Sequence, residues 1–265
     1  MSENLYDCRK AYAQTLADIA RQDDRLVVVV NDSVGSSNLG GFRDEFPTRL
    51  INVGIAEQNQ VGVAAGLENG GKIPVVSCAG SFLSARATEQ VKIDAGYSHR
   101  HMLLCAQSPG LAYGALGSTH HSAEDVTIMR SFPGMTVIVP ADPAETEGAI
   151  RWAYSELDGP AYIRISRMKV PAIHGEDYAF TPKATVLREG EDLTIIANGV
   201  TVHRALEAAD RLEAEGVHAR LLSMPVVKPL DEEAVLAAAR ETGRIITVEE
   251  GTVNGGLGGA VAELT

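Results

Sequence analysis

Glu57 stands in the run Ile51-Asn52-Val53-Gly54-Ile55-Ala56-Glu57-Gln58-Asn59-Gln60-Val61-Gly62-Val63-Ala64-Ala65-Gly66-Leu67, where an extended apolar stretch turns at Gly54 into a helix. A carboxylate in a first helical turn complements the helix dipole, and that is one use for it. The small residues behind it, Gly62, Ala64, Ala65 and Gly66, indicate another. They let a second backbone or a flat ligand come close. A carboxylate placed in so dry an interface needs a partner, and a ligand nitrogen would serve. A second stretch with chemical potential is Leu111-Ala112-Tyr113-Gly114-Ala115-Leu116-Gly117-Ser118-Thr119-His120-His121-Ser122. Its glycines permit unusual backbone angles, and Ser122 is placed to cap the helix that carries Glu124 and Asp125. His120 is either a loop histidine bonded to backbone or an imidazole aimed at a substrate hydroxyl or carbonyl. No His, Cys or Asp nearby completes a zinc set. In Ile165-Ser166-Arg167, the arginine is either a surface ion pair or an anion clamp for phosphate or sulfonate oxygens. Asp32 and Ser36 follow the first strand in a Ser/Gly-rich loop, where turn capping is the competing use.

The elements that position these groups alternate. Tyr6 to Arg21 reads as a helix, followed by the apolar run 26–30. Runs 73–78, 102–106, 135–139 and 161–165 are also β-rich without alternation, the pattern of strands buried on both faces of a parallel sheet. Helical stretches near 56–70, 82–96, 122–131 and 142–157 separate them. The pattern is a doubly wound α/β domain, in which ligands collect beyond the carboxyl ends of the strands. Asp32-Ser33, Gly80-Ser81-Phe82 and Gln107-Ser108-Pro109-Gly110 lie there. We divide the chain into a first domain, 1–172, a linker, 173–190, and a smaller α/β domain, 191–265. The second domain has strands near 193–197, 219–222 and 244–248 and helices near 201–215 and 231–241. Another helix starts at Gly255-Gly256-Leu257-Gly258-Gly259, a run that lacks the ending of a phosphate loop and reads as close helix packing. This last domain is expected to be shortened, because Thr265 follows soon after that helix begins.

With 265 residues and a net charge of −12, the chain suits neither nucleic acid nor an anionic membrane. No apolar run reaches the length of a membrane span, and Met1-Ser2-Glu3-Asn4 has no leader character. Cys8, Cys78 and Cys105 show no Cys-x-x-Cys spacing, and Cys78 and Cys105 fall in expected buried strands. A cytoplasmic protein with reduced thiols is expected.

The segment Asn52-Val53-Gly54-Ile55-Ala56-Glu57-Gln58 resembles the pyrimidine-site motif of transketolases. The resemblance continues in order through Thr119-His120, Ile165-Ser166-Arg167 and Gly255-Gly256-Leu257-Gly258. It implies a thiamine-diphosphate pyrimidine-binding domain followed by a transketolase C-terminal domain. Glu57 would bind the ring nitrogen of the cofactor pyrimidine and promote loss of the thiazolium proton, with the cofactor doing the hard chemistry. Asp32 would lie close to the cofactor and Phe82 would stack on the pyrimidine. His120 would contact the donor ketose, and Arg167, Ser36 and Arg9 would meet the phosphate end of the sugar. The Gly-Asp-Gly…Asn magnesium motif of the family is missing, and no other carboxylate set suits octahedral Mg2+. The resemblance therefore implies that a transketolase N-terminal subunit holds diphosphate and Mg2+, most simply in an α2β2 assembly, and that this chain is silent alone. Three positions depart from the family: Leu116 replaces an aspartate, Ser108 a histidine, and Ala79 an aromatic. A non-standard ketose or acceptor is expected, since polar sites reject mismatches strongly. A deoxyxylulose-phosphate-synthase-like or 2-oxo-acid dehydrogenase β-type subunit, or a non-catalytic scaffold, would share these domains.

Overall fold

A computed structural model describes residues 4–175 and 177–265. Met1, Ser2 and Glu3 of the segment read for a leader, and Glu176 of the linker, lie outside the described residues. The strands in chain order are β1 (Leu5–Asp7), β2 (Leu26–Val30), β3 (Leu50–Asn52), β4 (Ile73–Ala79), β5 (Leu103–Gln107), β6 (Thr136–Ile138) and β7 (Ala161–Ile165). They continue with β8 (Lys169–Pro171), β9 (Thr185–Arg188), β10 (Leu193–Ala197), β11 (Ala219–Ser223), β12 (Val226–Lys228) and β13 (Ile245–Val248).

The larger sheet runs β12-β6-β7-β5-β4-β2-β3. Every pairing from β6 to β3 is parallel, and β12 closes the β6 edge antiparallel. Every residue of β2, β4, β5 and β7 is buried, as continuous apolar runs covered on both faces require. Helices Cys8–Gln22 and Pro143–Ser155 cover one face through Tyr12, Leu16, Ile150 and Ala153. Glu57–Asn69 and Asp125–Ser131 cover the other with Val61 and Met129. The smaller sheet runs β13-β10-β11-β9. This is the doubly wound α/β domain and smaller α/β domain that the apolar runs indicate.

Several local features differ from the expectation. The first helix begins at Cys8, because Leu5–Asp7 pairs antiparallel with β8 and Asp7 caps the helix through its carboxylate. The stretch 82–96 is not one regular helix: Phe82–Arg86 and Val91–Tyr97 are wide π turns flanking Thr88–Gln90. Such turns are frequent at functional sites. Ser122 does not cap the following helix, which starts at Asp125 after an N-cap Glu124 that makes no side-chain bond. The Ser122 hydroxyl instead accepts from Gly110 N–H at 3.0 Å. Residues 185–188, inside the span read as linker, form the edge strand β9 on β11.

The start of the linker is fastened over a buried acidic cluster. Asp142 accepts from the backbone N–H groups of Ile173 and His174, both at 2.8 Å. The His174 ring lies 3.2 Å from the Asp142 carboxylate and 3.8 Å from that of Glu145. Burial pushes the Glu145 carboxyl up to about 7, against the opposing effect of His174. His174 is also raised: burial alone lowers it, and Asp142 and Glu145 outweigh that. Folded Glu145 thus holds its proton more tightly than the unfolded chain does. Its contribution to stability is full below the ordinary carboxyl value of 4.5 and is lost as pH rises through about 7. His174 fades in the same direction. Asp142, held low despite burial by bonds from His174 and backbone, contributes the opposite dependence, lost in acid. We expect Glu145→Gln to gain thermal stability relative to the parent as pH rises from about 5 to about 8. Melting curves across that range check this, and a constant difference would contradict it.

Candidate active site

The turn that delivers Glu57 is set by Gly54, whose φ of +74° follows β3, and Ala56 precedes the first helical residue. The Glu57 carboxylate is only 1% exposed. Its Oε1 accepts from the Asn31 side-chain amide at 2.9 Å, and its Oε2 accepts from Arg86 at 2.9 Å. Burial pushes this carboxyl up, but the Arg86 bond, its own backbone N–H and Asn31 together bring it below the ordinary carboxyl value. The group is an anion at neutral pH with acceptor capacity left, since a carboxylate offers about four lone-pair sites. Asn31 Oδ1, on the amide that bonds Glu57, is buried with no protein partner, and so is the Ser81 hydroxyl next to Phe82 in the chain.

From Glu57 a continuous line of rings and cations leads to the loop 111–122. The Arg86 guanidinium lies 4.5 Å over the Phe82 ring. Phe82 meets His120 edge-to-face at 5.1 Å, and His120 meets Tyr113 at 5.1 Å in the same manner. The Arg167 guanidinium then covers Tyr113 at 4.9 Å. Glu57, Phe82, His120 and Arg167 are thereby brought to one side of the sheet ends. The His120 Nδ1 contacts the Thr119 hydroxyl at 2.9 Å, whereas its neighbour His121 is the one bonded to backbone, at Gly114 O. Leu116 is 54% exposed on the same loop, Ser108 is buried with an unpartnered hydroxyl, and Ala79 ends β4 buried.

The remaining sequence candidates sit differently. Asp32 is exposed, with φ +67°, and is tied to Asn52 rather than to Glu57. Its neighbour Asn31 makes the contact with the carboxylate. Arg9 is engaged internally: Asp7 takes two of its guanidinium nitrogens, and the Ser36 carbonyl accepts a third bond at 2.8 Å. Ser36 thus meets Arg9 through its backbone, while its hydroxyl bonds Ser33 O. Sequence reading missed Arg86, Asn31 and Tyr113. Arg86 had a signal in its place four residues after Phe82, one turn along the same segment, and Tyr113 in its position within the histidine loop.

A buried ionic network holds that loop in place. Asp125, fully buried, accepts from the Tyr162 hydroxyl at 2.6 Å and from the Arg164 guanidinium. Arg164 also donates to Ser122 O and to Glu250 O. Glu250 Oε1 in turn accepts from Leu111 N–H at 2.9 Å. At Gly110, with φ +62°, a Cβ would stand 2.3 Å from the Glu250 carboxylate, so another residue would strain the backbone and displace that side chain from Leu111.

Comparisons with known proteins bear on the family and the fold. The family profile for the transketolase pyrimidine binding domain matches residues 5–172, and that for the transketolase C-terminal domain matches residues 182–265. An apulose-4-phosphate transketolase subunit of Phocaeicola vulgatus is 44% identical over 265 residues, covering 99% of this chain and 85% of the relative. A 6-deoxy-6-sulfo-D-fructose transketolase subunit of a Clostridium species is 43% identical over 256 residues, covering 96% of this chain and 79% of the relative. Among solved structures, a split-gene transketolase in an inactive β4 tetramer superposes with a TM-score of 0.91 at 41% identity, covering 98% of this chain and 85% of that one.

Proposed function

Because this chain belongs to the transketolase family, as the C-terminal-half subunit of a split enzyme that transfers two-carbon ketol units, we propose that Glu57 holds the pyrimidine of thiamine diphosphate while a separate subunit holds the diphosphate and Mg2+. The observation that carries this reading is the buried Glu57 carboxylate, joined through Arg86 to the Phe82 ring and bonded to Asn31, whose Oδ1 has no partner. These groups fit a flat heterocycle bearing ring nitrogens and an amino group. Among the described residues no group of three His, Cys, Asp or Glu could hold a metal ion.

When bound, the cofactor supplies the carbanion chemistry that the side chains lack. Glu57 holds or receives a proton at the ring nitrogen, and Phe82 offers a stacking face. His120 orients a donor hydroxyl or carbonyl, and Arg167 receives the anionic end of the sugar. Asp32, Ser36 and Arg9 shape the outer wall, with Arg9 acting through the Asp7 and Ser36 positions it fixes. Leu116, standing on the loop that His120 ends, removes a hydroxyl-reading carboxylate. This supports a ketose with an unusual hydroxyl pattern or a non-standard acceptor. The two relatives above are named for a ketose phosphate and a sulfonated ketose, and Arg167 suits either anion.

Self-association and an α2β2 assembly belong to the same proposal. The exposed apolar side chains Ile55, 77% exposed, Ile93 and Tyr97, together with open space over Gly66, support contact with a second copy. The solved relative is an inactive β4 tetramer, in keeping with a chain that is silent without its partner. We place the protein in the cytoplasm on the strength of three free, buried thiols. No described helix is long and apolar enough to cross a membrane.

The test is reconstitution with a diphosphate-domain subunit, thiamine diphosphate and Mg2+. Ketose phosphates and a sulfonated ketose should serve as two-carbon donors, and neither subunit should turn over alone. Turnover of pyruvate in place of ketoses would overturn the donor class. In the assembled enzyme, His120→Ala is expected to lower kcat/KM about 100-fold with cofactor affinity retained. Steady-state kinetics beside cofactor titration checks this, and an unchanged kcat/KM would remove His120 from the site.

A further inference from the structure

We propose that Arg86 is a positioning residue for Glu57, fixing the carboxylate that meets the cofactor ring and setting the proton affinity of that contact. The proposal rests on the cofactor reading above and goes beyond it. Arg86 sits one turn after Phe82, where the π turn at Phe82–Arg86 swings the guanidinium back over the ring. From there it donates to Glu57 Oε2 at 2.9 Å. The opposite oxygen is held by Asn31, so both carboxylate oxygens are fixed before any ligand arrives. The pair is lopsided. Glu57 is 1% exposed, whereas the Arg86 side chain is 48% exposed and, among the described residues, anchored by Phe82 and the carboxylate. An exposed cation thus reaches in to a buried anion, and its charge acts on the one carboxylate proposed to meet the cofactor.

Few other groups compete for control of Glu57. Cys78 faces it from β4, and its thiol is raised by burial and by the Glu57 charge, so it stays neutral. His120 lies beyond the Phe82 ring. Arg86 is therefore the cation in contact with the carboxylate, and its charge opposes proton uptake there. Removing that charge should make the Glu57–ring nitrogen contact hold its proton to higher pH, by roughly one unit for a cation at this distance, partly screened. The distance also suits the ring of Phe82: losing the guanidinium frees Phe82 to tilt, which should weaken cofactor binding without abolishing it.

The experiment uses the assembled two-subunit enzyme carrying thiamine diphosphate and Mg2+. The near-ultraviolet circular-dichroism bands that distinguish ionisation states of the bound aminopyrimidine are followed from about pH 6 to about pH 9. Arg86→Met should move the midpoint upward by about one pH unit, and Arg86→Lys should return most of the shift. A merely structural role would leave the midpoint in place and alter only stability or affinity. An unmoved midpoint in Arg86→Met, with the bands present, overturns the proposal while leaving the cofactor reading intact. Absence of cofactor bands in the parent complex overturns both.

Discussion

Replacing Glu57 with alanine is expected to lower turnover of the reconstituted enzyme by about 1,000-fold or more, while the two subunits still associate. The magnitude follows from the loss of a positioned acid–base group, which typically accelerates 100- to 10,000-fold, here at the step that activates the cofactor. Association should survive because the Glu57 side chain is enclosed by its own chain, at 1% exposure, bonded to Asn31 and Arg86. Alanine leaves Arg86 without its partner, but that guanidinium is half-exposed and can be hydrated. The fold should therefore lose little stability. Turnover assays together with size-exclusion chromatography of the mixed subunits separate the outcomes. Retained activity in Glu57→Ala would end the assignment of this carboxylate.

The second large effect is on stability. Asp125→Ala should cost about 3–5 kcal/mol, because it leaves the buried Arg164 guanidinium without its carboxylate. For a chain of this size that is a fall in melting temperature of about 10 °C. Both partners are deeply buried, at 0% and 5% side-chain exposure, so solvent cannot replace the lost bond. Tyr162 loses its acceptor at the same time. The damage should extend to function. Arg164 carries Ser122 O and Glu250 O, and Glu250 carries Leu111, so KM for the sugar donor should rise in the assembled enzyme. Replacing both charges, Asp125→Leu with Arg164→Met, should cost less than the single change, since the stranded charge is gone. Denaturant melts of the three chains decide the matter; a loss below about 1 kcal/mol in Asp125→Ala would show the network to be dispensable.

Much of this architecture is legible in residue order. The unbroken apolar runs at 26–30, 73–78 and 161–165 can be satisfied only by strands covered on both faces, and they are. Glu57 stands out because a carboxylate heads a helix of glycine and alanine. His120 and Arg167 stand out because loop and strand-end positions collect ligands, and one line of ring contacts through Tyr113 brings them together. What sequence cannot convey is which neighbour satisfies which group. Asp32 looks like the acidic partner of the site, yet the left-handed turn at that residue directs it to Asn52 and leaves Asn31 against Glu57. Arg9 looks available, but the helix-capping Asp7, two residues away, takes its guanidinium. Ser122 has the chemistry of a cap and is drawn instead to Gly110 across an isolated bridge. Strand β12 has only three residues and comes from the sequence of the second domain, so nothing local marks it as the edge of the first sheet. The acidic cluster beneath the linker is equally hidden, because Asp142, Glu145 and His174 converge only when the chain crosses over.

The most direct test is a structure of this chain assembled with its diphosphate-domain partner, thiamine diphosphate and Mg2+. The pyrimidine ring nitrogen should lie within about 3 Å of a Glu57 carboxylate oxygen, with Phe82 against the ring. A pyrimidine bound elsewhere, with Glu57 still engaged only by Asn31 and Arg86, would contradict the account.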